Sequence, residues 1–186
     1  KCPFNPMMWA DNLTNTCVLL CSQTYDRYAD NSSQLCVINC PNGTYADSLS
    51  RSCVTTCPNG TFGVNSTSRC EISCPSGQFS SSYNNLCVKK CQVDPAFYGD
   101  TISWNCLPVC VNGSYGNPLT QQCVYNLAGV SECPSGYYAD PTSNLCVQVC
   151  PMKYNIYAEP LSKTCLPACV SPYYADNSTV RCVLKC

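Results

Sequence analysis

Histidine is absent from the 186 residues, and charge is scarce: ten basic and eleven acidic side chains leave a net charge of -1. Without histidine no Ser-His or Cys-His nucleophile can form, and no spacing places two acids together for acid–base work. No catalytic residues and no enzyme activity are therefore expected. Without a basic patch the chain offers nothing to nucleic acid or anionic lipid. Long apolar runs are missing as well. The best are Val18-Leu19-Leu20 and Leu127-Ala128-Gly129-Val130, far short of the ~20 residues that span a bilayer. No signal peptide is present, so a secreted chain is expected to be a mature product or a stretch of a longer one. Pro, Gly, Asn and Ser recur every few residues, and no apolar 3.6-residue period survives, so helices are not expected.

Cysteine is what the chain has instead. Twenty-one of them exceed the ~8–10% that marks a disulfide scaffold, which implies an oxidising, extracellular or cell-surface setting. Their arrangement is a repeat, best seen from Cys40 to Cys57, CPNGTYADSLSRSCVTTC. Ten loops follow this plan: Cys2–Cys17, Cys21–Cys36, Cys40–Cys53, Cys57–Cys70, Cys74–Cys87, Cys91–Cys106, Cys110–Cys123, Cys133–Cys146, Cys150–Cys165 and Cys169–Cys182. Six loops hold 12 residues and four hold 14, and nearly every spacer has three. The exception, Val124–Glu132, divides seven modules over 1–123 from three over 133–186, where Cys186 opens a further unit.

The residue eight before each second cysteine is aromatic in all ten modules, from Trp9 and Tyr28 to Tyr157 and Tyr174, and a small residue always follows it. The two extra residues of a longer loop fall before the aromatic, and an insertion of two preserves strand alternation. This predicts short β-hairpins. Pro-x-Gly after the first cysteine (Pro41–Gly43, Pro58–Gly60, Pro75–Gly77, Pro134–Gly136) is turn chemistry.

Spacing favours pairing within each loop. Pairing across spacers would leave Cys2 over, and an extended three-residue spacer holds its cysteines ~13 Å apart, beyond the ~7 Å reach of a disulfide. An interlocked scheme needs a two-module rhythm, which the loop lengths lack. A 17-residue module buries too little apolar surface to fold unaided, so the bridges act as staples. The aromatic, the small residue and the Val after the second cysteine are expected to pack on the neighbouring disulfide. The expected fold is a small disulfide-rich all-β repeat, an elongated solenoid-like rod of about ten single-disulfide modules without a central core.

Cys-Val-x-x-Cys-Pro-x-Gly, as at Cys53–Gly60, resembles the single-disulfide modules of furin-like, growth-factor-receptor cysteine-rich repeats. The fuller CPxGxYADxxSxxCVxxC form is similar to the long cysteine-rich surface proteins of ciliates and other protists. The resemblance implies rods, stalks and surface coats, and brings no catalytic residues. In such repeats the cysteine before the proline closes on the next one after a long loop.

Seven Asn-x-Ser/Thr sequons occur, at Asn12, Asn31, Asn42, Asn59, Asn65, Asn112 and Asn177. Asn42, Asn59 and Asn112 lie two residues after a first cysteine; the others lie three after the aromatic. N-linked glycans are the expected modification. The acids after the aromatic (Asp11, Asp30, Asp47, Asp100, Asp140, Asp176, with Glu159) read as turn caps, because one acid per module does not supply the several carboxylates calcium wants. Evenly strung cysteine pairs likewise lack the four convergent ligands of zinc. No cofactor is expected. The leading expectation is an extracellular structural glycoprotein that self-associates or continues end to end. The alternative is a ligand-binding ectodomain, an adhesin or receptor segment. It would use Val124–Glu132, the Gln92–Asn105 loop with Trp104, or the Pro3–Thr16 loop with Met7, Met8 and Trp9.

Overall fold

A computed structural model describes residues 2, 7–111, 113–152 and 155–185. Asn112, Cys186 and part of the Pro3–Thr16 loop lie outside them. The fold is all-β, with 21 short strands and, among the described residues, no α-helix. All ten cysteine loops close on themselves, with Cα–Cα distances of 5.4 to 5.7 Å. Within-loop pairing is therefore the connectivity, and such bridges form where thiols are oxidised.

Each loop, numbered here as modules 1 to 10 in chain order, contributes one hairpin. In module 3 the entry strand Tyr45–Asp47 runs antiparallel to the return strand Ser52–Val54, with Ala46 opposite Cys53. The small residue faces the second cysteine in the same way in every module. The four-residue tip between the strands ends in a left-handed residue two positions before that cysteine. Asn15, Gln34, Arg51, Ser68, Asn85, Trp104, Gln121, Asn144, Lys163 and Val180 hold this place with φ of 51 to 58°. None is glycine. Ahead of the entry strand, Pro41–Thr44 makes a turn closed by Thr44 N–H to Pro41 O at 3.0 Å. Gly43 sits in it at φ 83°, a conformation that favours glycine.

The modules cluster into two units, residues 1–89 (modules 1 to 5) and 90–186 (modules 6 to 10). Within each unit one rule joins neighbours: the entry strand of a module pairs in parallel with the return strand of the next. Ala10 pairs with Leu35, Ala29 with Ser52, Ala46 with Arg69 and Gly63 with Leu86 in the first unit. Gly99 pairs with Gln122, Gly116 with Leu145, Ala139 with Thr164 and Ala158 with Arg181 in the second. The bond that closes each step runs from the small residue's N–H to the carbonyl of the left-handed residue next door, as from Ala46 to Ser68 at 2.8 Å. Because each hairpin is antiparallel and each joint parallel, successive hairpins point in opposite directions.

Among the described residues no single core forms in either unit. Small apolar clusters repeat along the chain. Trp9 and Val18 of module 1 pack on Ala29 and the Cys21–Cys36 bridge of module 2. Tyr28 and Val37 cover Ala46 and Cys40–Cys53. Tyr115 and Val124 cover Ala139 and Cys133–Cys146, and Tyr138 and Val147 cover Ala158 and Cys150–Cys165. The expected packing on the neighbouring disulfide is what the structure contains. Burial of this kind is worth roughly 25 cal/mol per Å², and closing a loop of about 15 residues adds roughly 3 kcal/mol in the chain-entropy account. The staple and the neighbour thus stabilise each module together.

The nine-residue insertion forms a hairpin of its own. Strand Gln122–Leu127 runs on past Cys123 and pairs with Val130–Ser131. Ala128 and Gly129, both at positive φ (50° and 80°), make the mirror-image turn whose twist suits a two-residue hairpin loop. Ser131 then donates its N–H to Ser162 O at 2.9 Å, which ties the insertion to module 9.

Candidate functional site: the hairpin tips and their asparagines

The tip begins at the acid two residues after the aromatic. Asp30 accepts from the backbone N–H of Ser32 (3.0 Å) and Ser33 (3.2 Å) and from both hydroxyls. Asp47, Asp100, Asp140 and Asp176 repeat the arrangement, and Glu159 and Asn117 serve it with different side chains. Burial pushes the Asp30 carboxyl up, but donations from Ser33 and Ser32 outweigh it and leave it below its ordinary range. The hydroxyls of Thr179 and Ser178 hold Asp176 at about 2. These acids are turn caps with their lone pairs engaged. Among the described residues no three metal-binding side chains come together.

The sequons fall in two structural places. Asn12, Asn31, Asn65 and Asn177 begin the tips, directly after the capping position, whereas Asn42 and Asn59 lie in the turn ahead of the entry strand. All six are exposed; Asn112 lies outside the described residues. Sequon hydroxyls have local duties. Thr179 donates to Asp176 at 2.6 Å, Thr44 to Pro41 O at 2.7 Å and Thr61 to Pro58 O at 2.8 Å. Turn chemistry therefore accounts for the serine and threonine half of each sequon. It does not account for the asparagines, two of which are gripped by the preceding module. Tyr45 donates its hydroxyl to Asn65 Oδ1 and Tyr157 to Asn177 Oδ1, each at 2.6 Å.

One tip departs from the common plan. Arg51 (5% exposed) donates to the carbonyls of Ser22 (3.0 Å) and Arg27 (2.8 Å), and its guanidinium carbon lies 4.3 Å from the centre of the Tyr28 ring. Arg69 reaches past its neighbour to donate to Asp26 and, at 3.2 Å, to the Tyr28 hydroxyl. The Arg69 guanidinium, with the Tyr28 hydroxyl, holds the Asp26 carboxyl at about 2. This cluster links modules 2, 3 and 4. Sequence reading missed it, because only an arginine at the tip of module 3 and another opening the return strand of module 4 hint at it.

Of the irregular segments, the insertion exposes Leu127 (61%) and Val130 (43%) at its turn. Trp104 occupies a left-handed tip position. Among the described residues no helix is long and apolar enough to cross a membrane. No protein-family model, no curated protein and no solved structure matches the chain.

Proposed function

We propose that the chain is an extracellular structural glycoprotein, a disulfide-stapled repeat that spaces and protects a surface as a coat, stalk or fibril. One observation carries this reading. Within each unit every module holds its own bridge and leans on the next through the same strand joint, with an aromatic contact repeated at several steps, so the architecture extends by repetition. The acids two residues after the aromatics are committed to turns, which supports a non-enzymatic role. The exposed asparagines are its glycan acceptors, and the likeness to furin-like and protist surface repeats agrees with a coat. Electron microscopy of native material, with glycopeptide mass spectrometry, tests the proposal. Uniform filaments or a continuous coat with occupied acceptors are expected; discrete globular particles with bare asparagines would overturn it.

A binding ectodomain is the second reading, favoured by the exposed Leu127 and Val130 on a hairpin that interrupts the repeat. Leu127→Ser with Val130→Ser would then abolish adhesion to a partner surface while filaments persist.

A further inference from the structure

Four surface hollows border hairpin tips, and each is lined by a different tip sequon. Asn31 lines one of about 460 Å³, Asn65 one of about 430 Å³, Asn12 one of about 240 Å³ and Asn177 a shallow notch of about 120 Å³. The turn acceptors Asn42 and Asn59 line none of the four. Three of the hollows lie between modules. Beside Asn31 the opposite wall is Ala10 and Cys2 of module 1. Beside Asn65 it is Gln78, Val88 and Lys89 of module 5. Beside Asn177 it is Met152 and Tyr157 of module 9.

We propose that these hollows seat the chain's own glycans. The first N-acetylhexosamine on Asn31, Asn65 and Asn177 lies down against the adjoining module, and that on Asn12 against its own, instead of projecting into solvent. This rests on the glycoprotein reading above. A pyranose ring has an apolar face and a rim of hydroxyls, and the walls supply both kinds of partner. Val88 or Met152 gives a flat apolar contact, and Gln78, Lys89 or Asn155 gives donors and acceptors. The two larger hollows fall within the roughly 300–1,000 Å³ of small-ligand clefts. At Asn65 and Asn177 the neighbour's tyrosine bonds the amide oxygen, not the nitrogen that carries a sugar, so glycosylation leaves that grip intact. A seated sugar would bridge two modules, and its ordering cost is reduced because the tyrosine already fixes the side chain at these two tips.

The test uses the native glycoprotein and an endoglycosidase that leaves a single sugar on each asparagine. Its comparator is the variant Asn12→Asp, Asn31→Asp, Asn65→Asp, Asn177→Asp, which carries no tip glycans. The trimmed protein should melt with the untrimmed one and several degrees above the variant. NMR contacts should join the sugar's acetamide methyl to Val88 and Met152. Variants of Asn42 and Asn59 should melt like wild type. Occupied tips whose trimmed form melts with the variant and lacks those contacts would overturn the seating while leaving the glycoprotein reading intact. Tip asparagines found bare in native material would overturn the seating, and every sequon found bare would overturn the glycoprotein reading with it.

Discussion

Tyr45 lies so close over Gly63 of the next module that a β-carbon there would sit 2.8 Å from two ring carbons. Tyr98 stands to Gly116 in the same way at 2.7 Å. At Gly63 and Gly116 the small residue after the aromatic thus answers to the previous module's ring. Gly63→Val should destabilise the joint between modules 3 and 4 by about 1–3 kcal/mol. Hydrogen exchange localised to residues 45–70 checks this, with Gly63→Ala showing a smaller loss in the same segment.

Removing one staple should be felt locally. Cys57→Ser with Cys70→Ser deletes the bridge of module 4, a loss of roughly 3 kcal/mol in the chain-entropy account. In a nearest-neighbour array the loss of exchange protection should be greatest in modules 3 to 5 and should spare module 1. Uniform unfolding of modules 1 to 5 would instead mean a cooperative core.

The left-handed tip residue offers a stabilising change. Ser68 holds φ 52° without being glycine, a conformation that costs an L-residue roughly 1–2 kcal/mol. Ser68→Gly should raise the melting temperature, net of about 0.5–1 kcal/mol lost to unfolded-chain freedom. Differential scanning calorimetry against wild type measures the gain.

Asp26 sets an acid limit. Its folded pKa, about 2 through Arg69 and Tyr28, lies below the unfolded value of about 3.9. The folded state therefore binds the proton less readily, and its contribution is present above pH ~4 and is lost as pH falls toward 2. The carboxylate is about half exposed (48%), so solvent screening keeps the effect small. Asp26→Asn should lower stability at pH 6 and flatten the acid slope of a denaturant midpoint measured between pH 4 and 2.

Much of this architecture was readable from spacing. The aromatic at a constant distance from the second cysteine, the insertion of two before it and the lone odd spacer are traces of hairpins and of within-loop bridges. Other features left no such trace. That the entry strand pairs forward, with the next module's return strand, depends on backbone carbonyls that carry no residue signature. The left-handed tip accepts asparagine, arginine, tryptophan and valine alike, because the fold imposes the conformation and the side chain does not select it. The two-module rhythm absent from loop lengths does exist in direction within each unit. Tip chemistry follows it, with Leu13, Leu49, Tyr83, Leu119 and Leu161 in odd modules and Ser32, Ser66, Thr142 and Ser178 in even ones. Ile102 breaks the pattern.

Closing each loop on itself also decides how the chain would answer tension. Force entering at one first cysteine leaves through sulfur to the second, so the 12 or 14 residues between them never become taut. Each module with a three-residue spacer can then lengthen to only about 20 Å, even after every strand joint has opened. Stretch is capped by covalent geometry, and a pulled chain would stiffen early and recover its slack once released.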